Sequence, residues 1–150
     1  MLRRVDIYHD LKISILTLSG NMTASAGADL ISSYTYRPDF SASYPTLVDA
    51  RELTDFDSRY LEVYRSFLSI NKSFDRFDED SKVMILVSCE AIYGMMRMAD
   101  QVVDSMSNFH HDVTLDEAHA LAWLGRTEPT VEAIHVKGQS LSSSVTIQQA

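Results

Sequence analysis

Residues 114–125 read Thr-Leu-Asp-Glu-Ala-His-Ala-Leu-Ala-Trp-Leu-Gly, and this stretch closes a regular alternation of strands and helices. The Thr114 hydroxyl is placed to accept from the Glu117 N–H while Glu117 reaches back to the Thr114 N–H. That reciprocal arrangement is a capping box, and it predicts where a helix begins. Leu115, Ala118, Leu121, Ala122 and Leu124 then form an apolar stripe, and Gly125 supplies a left-handed stop.

Working back from this helix, residues 109–113 read as a short strand. Residues 90–107 read as a helix with Ile92, Met95, Met96, Ala99, Val102, Val103 and Met106 on one broad face. Residues 82–89 contain Val83-Met-Ile-Leu-Val87, a buried strand. A helix from about Asp57, its expected cap, carries Tyr60, Val63, Tyr64, Phe67, Leu68 and Phe74. Residues 46–50 form a short apolar strand ending in Asp49-Ala-Arg51. Residues 23–36 predict a helix capped by Thr23 or Ser25. Residues 5–19 predict two strands joined near Asp10-Leu11, the second broken by Gly20-Asn21.

The order β-β-α-β-α-β-α-β-α implies a mostly parallel sheet of four to five strands, an antiparallel first strand at its edge and about four helices. The expected fold class is therefore α/β, with one domain over residues 1–126. Residues 127–150 read as a weakly ordered tail, with an added strand at 131–136 as an option.

Composition bounds the function. Apolar residues at 45% and charged residues at 23% of 150 suit one globular domain. A net charge of −8 argues against nucleic acid and anionic membrane surfaces, both of which reward clustered Lys and Arg. One cysteine, Cys89, precludes an internal disulfide, and no apolar run approaches the ~20 residues of a membrane span. Asp6, His9 and Asp10 interrupt any signal-peptide core. The expected location is the cytoplasm.

Three strings, Leu47-Val-Asp-Ala-Arg51, Tyr93-Gly-Met-Met-Arg-Met98 and Asp116-Glu-Ala-His-Ala-Leu-Ala-Trp-Leu124, in this order of elements resemble the STAS-like family, in its SpoIIAA-like branch related to anti-sigma-factor antagonists. The resemblance spans roughly residues 5–125. It implies helices mainly on one side of the sheet and action by binding, either to regulatory proteins or to nucleotide or lipid-like ligands. The antagonists' phosphorylatable serine sits in an Asp-x-Ser-Gly string. This chain lacks the Ser-Gly after Asp49, and neither Thr54 nor Ser58 matches it, so no such residue is carried over.

Candidate binding residues are Asp49, Arg51, Cys89, Tyr93, Met96 and Arg97. Asp49, Arg51 and Cys89 fall at predicted strand ends, where open α/β sheets bind ligands. Each has a plainer reading: an Asp49–Arg51 ion pair and an incidental thiol at Cys89. Met95 and Met96 offer adaptable apolar contact or simple core packing. Arg97 suits an anionic group beside an apolar groove, or pairs with Asp100 or Glu90 on its own helix. The aromatic run Tyr60, Tyr64, Phe67 and Phe74 reads as core or dimer interface. His110, His111, Asp112 and His119 do not match metal spacing, because strand neighbours point to opposite faces. With five glycines, no phosphate-cradling loop and no Gly-x-Ser-x-Gly string, no catalytic residue, metal or cofactor is assigned.

The expected function is that of a non-enzymatic, self-associating regulatory module that docks to an unidentified protein through helices 57–74 and 90–107. The alternative is a small carrier of an apolar or lipid-like ligand held between those helices and the sheet.

Overall fold

The computed structural model describes residues 2–141 together with the backbone of residues 145–149. Among these, the strands are β1 (Leu2–Tyr8), β2 (Ile13–Met22), β3 (Thr46–Phe56), β4 (Lys82–Leu86), β5 (His110–Thr114) and β6 (Val145–Gln149). The helices are α1 (Ala24–Thr35), α2 (Tyr60–Ser69), α3 (Asn71–Phe74), α4 (Glu90–Asp104), α5 (Glu117–Trp123) and α6 (Val131–Leu141). The six strands form one mixed sheet in the order β5-β4-β3-β2-β1-β6. β2 to β5 run parallel, and β1 is antiparallel to β2, with Val5 opposite Leu16.

Period-two alternation sends the strand side chains into two separate cores. Leu16, Leu18 and Ala50 face α1 to α4, where they meet Leu30, Val63, Phe67, Phe74, Ile92, Met96 and Val102. Ile13, Ile15, Leu47, Met84 and Leu86 face the other way and pack on Leu121, Leu124, Val131 and Ile134 of the α5–α6 layer. Four helices thus cover one face and two the other, making six against the four expected.

β3 runs on six residues past Ala50, where the sequence reading ended it. Its pairing with β2 shifts register twice: Thr17 and Ser19 oppose Asp49 and Glu52, and Gly20 and Asn21 oppose Leu53 and Asp55. Each shift inserts one extra residue in β3, a β-bulge. The bulges keep Ala50, Leu53 and Phe56 in one core although they are spaced by three. That spacing hides a strand from a search for period two. The same pairing carries β2 through Gly20-Asn21 rather than ending there, with Gly20 at φ 84°.

Two local expectations are corrected. Helix α2 starts at Tyr60 and not at Asp57, because β3 and the segment after it occupy residues 46–59; the Glu62 carboxylate accepts from the Arg59 N–H at 3.0 Å. The cap of α5 is Asp116, which accepts from the His119 N–H at 3.2 Å, while Thr114 turns back to accept from the Asp116 N–H at 3.1 Å. Thr114 cannot cap, since it is the last residue of β5. The stop of α5 is as expected: Gly125 sits at φ 79°, its N–H reaches Ala122 O at 3.0 Å, and the Arg126 N–H reaches Leu121 O at 2.8 Å. These two bonds are a Schellman motif.

Residues 131–141, expected in a weak tail, form helix α6 and not a strand. Val131 and Ile134 are buried in the second core. The Tyr8 hydroxyl lies 2.6 Å from His135 Nδ1, and the Val131 N–H donates to Glu117 Oε2 at 3.0 Å. Arg126 holds Glu128 in a two-pronged pair at 3.0 and 2.7 Å and donates to Leu11 O at 2.8 Å, so the segment entering α6 is tied to the β1–β2 turn. The added strand comes later, as β6 lying antiparallel outside β1. β1 is therefore not the edge of the sheet.

Candidate functional site

Asp49 and Arg51 alternate with Val48 and Ala50, so they point toward α5 and α6, away from α4. Arg51 Nε and Nη2 both lie 2.9 Å from the Asp49 carboxylate, and Nη1 lies 3.1 Å from Glu117. Bonding to Asp49, which outweighs burial, pushes the Arg51 guanidinium above its ordinary range. Glu117 also accepts the first N–H of α6. The cluster thus joins the middle of β3 to the starts of α5 and α6, and every charged group in it is matched.

The other four residues belong to α4 and the opposite face. Cys89 precedes α4 as its cap residue and is exposed, with no side-chain capping bond. Its neighbour Ser88 donates to Arg51 O at 2.7 Å, which ties the segment after β4 to the middle of β3. Tyr93 packs partly buried against the first core and Met96 is fully inside it. Arg97 pairs with Asp112 of β5 at 2.8 Å and more loosely with Asp100 at 3.7 Å. A single cleft lined by Asp49, Arg51, Met96 and Arg97 is therefore not formed, because the sheet separates the first two from the last two.

Met96 lines an apolar cavity of about 110 Å³ between the sheet and helices α1 to α4, together with Leu16, Leu30, Val48, Phe67 and Phe109. Its few polar wall groups are already paired. The Tyr34 hydroxyl meets Thr46 Oγ1 at 2.9 Å, and His111 Nδ1 meets Asp100 at 2.6 Å. Small-molecule sites usually run to roughly 300 Å³ or more, so this void is a gap in the packing on that scale. His110 and His111 point apart along β5, the first exposed and the second half-buried. Among the described residues no three His, Cys, Asp or Glu are arranged to hold a metal ion. No helix there is long and apolar enough to cross a membrane.

Sequence reasoning named helix 57–74 as a docking element and read Tyr60 and Tyr64 as core or dimer interface, without singling out the outer face of α2. Val63 and Phe67 bury the inner side of the helix, yet Tyr60, Leu61, Tyr64 and Leu68 are 56, 53, 37 and 46% exposed. At about 100° per residue these four occupy a continuous arc of roughly 100° beside the buried one. The Tyr60 and Tyr64 rings stack, with centroids 6.5 Å apart and planes at 23°. The sequence signal was available: α2 is apolar over a wider arc than one packed face requires. Phe67 and Phe74 are core, one of the two places expected for this run, whereas Tyr60 and Tyr64 are exposed, which leaves an interface as the other.

No protein-family model matches the chain, and no curated protein matches it. The fold defines an α/β domain with a mixed six-stranded sheet covered by helices on both faces. Among solved structures the chain is similar to an uncharacterised DUF3478-family protein with a SpoIIAA-like fold from Shewanella loihica PV-4. The identity is 19%, with 75% of this chain and 83% of that chain covered at a TM-score of 0.46.

Proposed function

We propose that this protein is a non-enzymatic regulatory module of STAS-like type that acts by docking to protein through the outer face of α2. The observation that carries the reading is the apolar arc of Tyr60, Leu61, Tyr64 and Leu68, left uncovered on a helix whose other side is anchored in the core. Large apolar side chains gathered on one rigid element mark interaction surfaces more often than scattered ones do. Helix α4, the other docking element expected from the sequence, spends its apolar face on the core, with Ile92, Met96, Ala99 and Val102 all buried. The candidate residues Asp49, Arg51 and Arg97 serve as internal ties that hold this scaffold rigid.

A photo-crosslinking amino acid placed at Leu61 or Leu68 tests the reading in cells, against controls at the exposed Leu2, Leu115 and Val136. Protein adducts confined to the α2 positions are expected. Equal yields at all five sites contradict it.

The carrier reading rests on the apolar cavity behind Met96. It requires helices α1 and α4 to move apart, since about 110 Å³ admits only a few heavy atoms.

A further inference from the structure

The two central strands are buried unequally on their two faces. Leu47, Met84 and Leu86, which face α5 and α6, are fully buried. Val48, Val83 and Ile85, one residue away on the same strands, are only half-buried beneath α1 to α4. Neither β3 nor β4 is an edge strand, so the difference lies in the helices above and not in the sheet. The three half-buried side chains form the floor of the apolar cavity of about 110 Å³, where the four-helix layer stops short of the strands. We infer that this cavity is a binding site for a small rigid apolar molecule, a single hydrocarbon ring of about six or seven heavy atoms, taken without any parting of the helices.

The walls set the chemistry of the guest. An apolar cavity of about 150 Å³ lined by Leu, Ile and Phe stays dry and takes benzene, and this one is of the same order. Water gains little here, because the Tyr34–Thr46 and His111–Asp100 pairs already use the polar groups of the wall. The same pairing leaves no partner for a hydroxyl or amine on the guest, so a plain hydrocarbon fits best. The wall rings Tyr34, Phe77 and Phe109 follow one another with centroids 6.3 and 4.5 Å apart, which favours an aromatic guest over a saturated one. A long acyl chain exceeds the volume and loses rotational freedom on entry, costs that a rigid ring avoids. So few heavy atoms give a modest affinity, of roughly millimolar order, and such a guest leaves during purification.

The test is thermal unfolding of the full chain with benzene in sealed cells, together with methyl NMR of Val48, Val83 and Ile85. Benzene at ~10 mM is expected to raise the unfolding midpoint by a few degrees and to move those three sets of methyl resonances. Phenol is expected to bind roughly tenfold more weakly, since its hydroxyl finds no partner. Val48→Ile with Val83→Ile adds a methylene to the cavity floor at each position and keeps both residues β-branched. This variant is expected to unfold at a higher temperature without benzene and to lose the benzene increment. Leu61→Asp with Leu68→Asp is expected to keep the increment, which separates the cavity from the outer face of α2. A wild type with no change in midpoint or methyl resonances overturns the site. An increment that survives the two isoleucines, or vanishes with the two aspartates, places benzene elsewhere and overturns it too. Tighter binding of n-decane than of benzene overturns the limit to a single ring and favours the parting of helices that the carrier reading requires. Docking through α2 stands apart from each of these outcomes.

Discussion

At the scale of single residues, the contact between Tyr8 and His135 makes the clearest demand on solution conditions. Burial, partly opposed by the Asp6 carboxylate, holds His135 below the ordinary 6.5 of an imidazole. As pH falls from about 6.5, the unfolded chain takes up this proton before the folded chain does, so stability declines until the folded-state pKa is passed as well. Urea unfolding between pH 8 and 5 is expected to show a steeper loss in the wild type than in His135→Gln; identical slopes would remove His135 as the cause. Burial and Asp6 together push the Tyr8 hydroxyl up to about 12, so it stays protonated over this whole range. Gly138 lies under the same ring: a Cβ there would fall 2.5 Å from Tyr8 Cδ1. Gly138→Ala is accordingly expected to cost about 1–3 kcal/mol through displacement of α6 or the tyrosine, measurable as a lowered urea midpoint. None of this was legible in the sequence. Tyr8 and His135 are separated by 127 positions, and no periodicity joins them.

At the scale of elements, the two ends of α5 separate what local pattern conveys from what it does not. Gly125 was readable because a left-handed stop depends on a single residue type. The cap was misplaced by two residues because Thr114 and Asp116 are both good capping types, and the choice belongs to β4, whose pairing extends β5 through Thr114. The structure predicts that Asp116→Ala costs about 1 kcal/mol. Thr114→Ala should cost clearly less, and thermal unfolding of the two variants compares them directly; the reverse ranking would restore the capping box. Strands β1 and β4 were legible for the same local reason, the first from alternation and the second from its unbroken apolar run Val83–Val87. The second half of β3 was not, since its bulges place buried residues at intervals of three. Helix α6 was missed because its Gly138 and its short buried set, Val131 and Ile134, give a weak stripe. That stripe nevertheless completes the second core. A chain ending at residue 126 uncovers Tyr8, Ile13 and Ile15 and is expected to lose cooperative unfolding.

At the scale of the whole molecule, the candidate site shows how far charge and composition reach. Asp49, Arg51 and Arg97 were identifiable as residues with partners to find, and each found them inside the fold. Their separation by the sheet was a consequence of alternation that only the assembled topology displays. The outer face of α2 was visible as an excess of apolar residues on one helix, but its exposure depends on what the fold leaves uncovered. Because Leu61 and Leu68 project outward, Leu61→Asp with Leu68→Asp is expected to change folding stability by only about 0.5 kcal/mol while removing association, a combination that core residues do not give. Docking and carrying differ most plainly in what the purified protein holds. Native mass spectrometry of the full chain therefore addresses the central claim most directly. A chain of bare sequence mass is the predicted result, and one that sheds a small apolar molecule on gentle activation would contradict it.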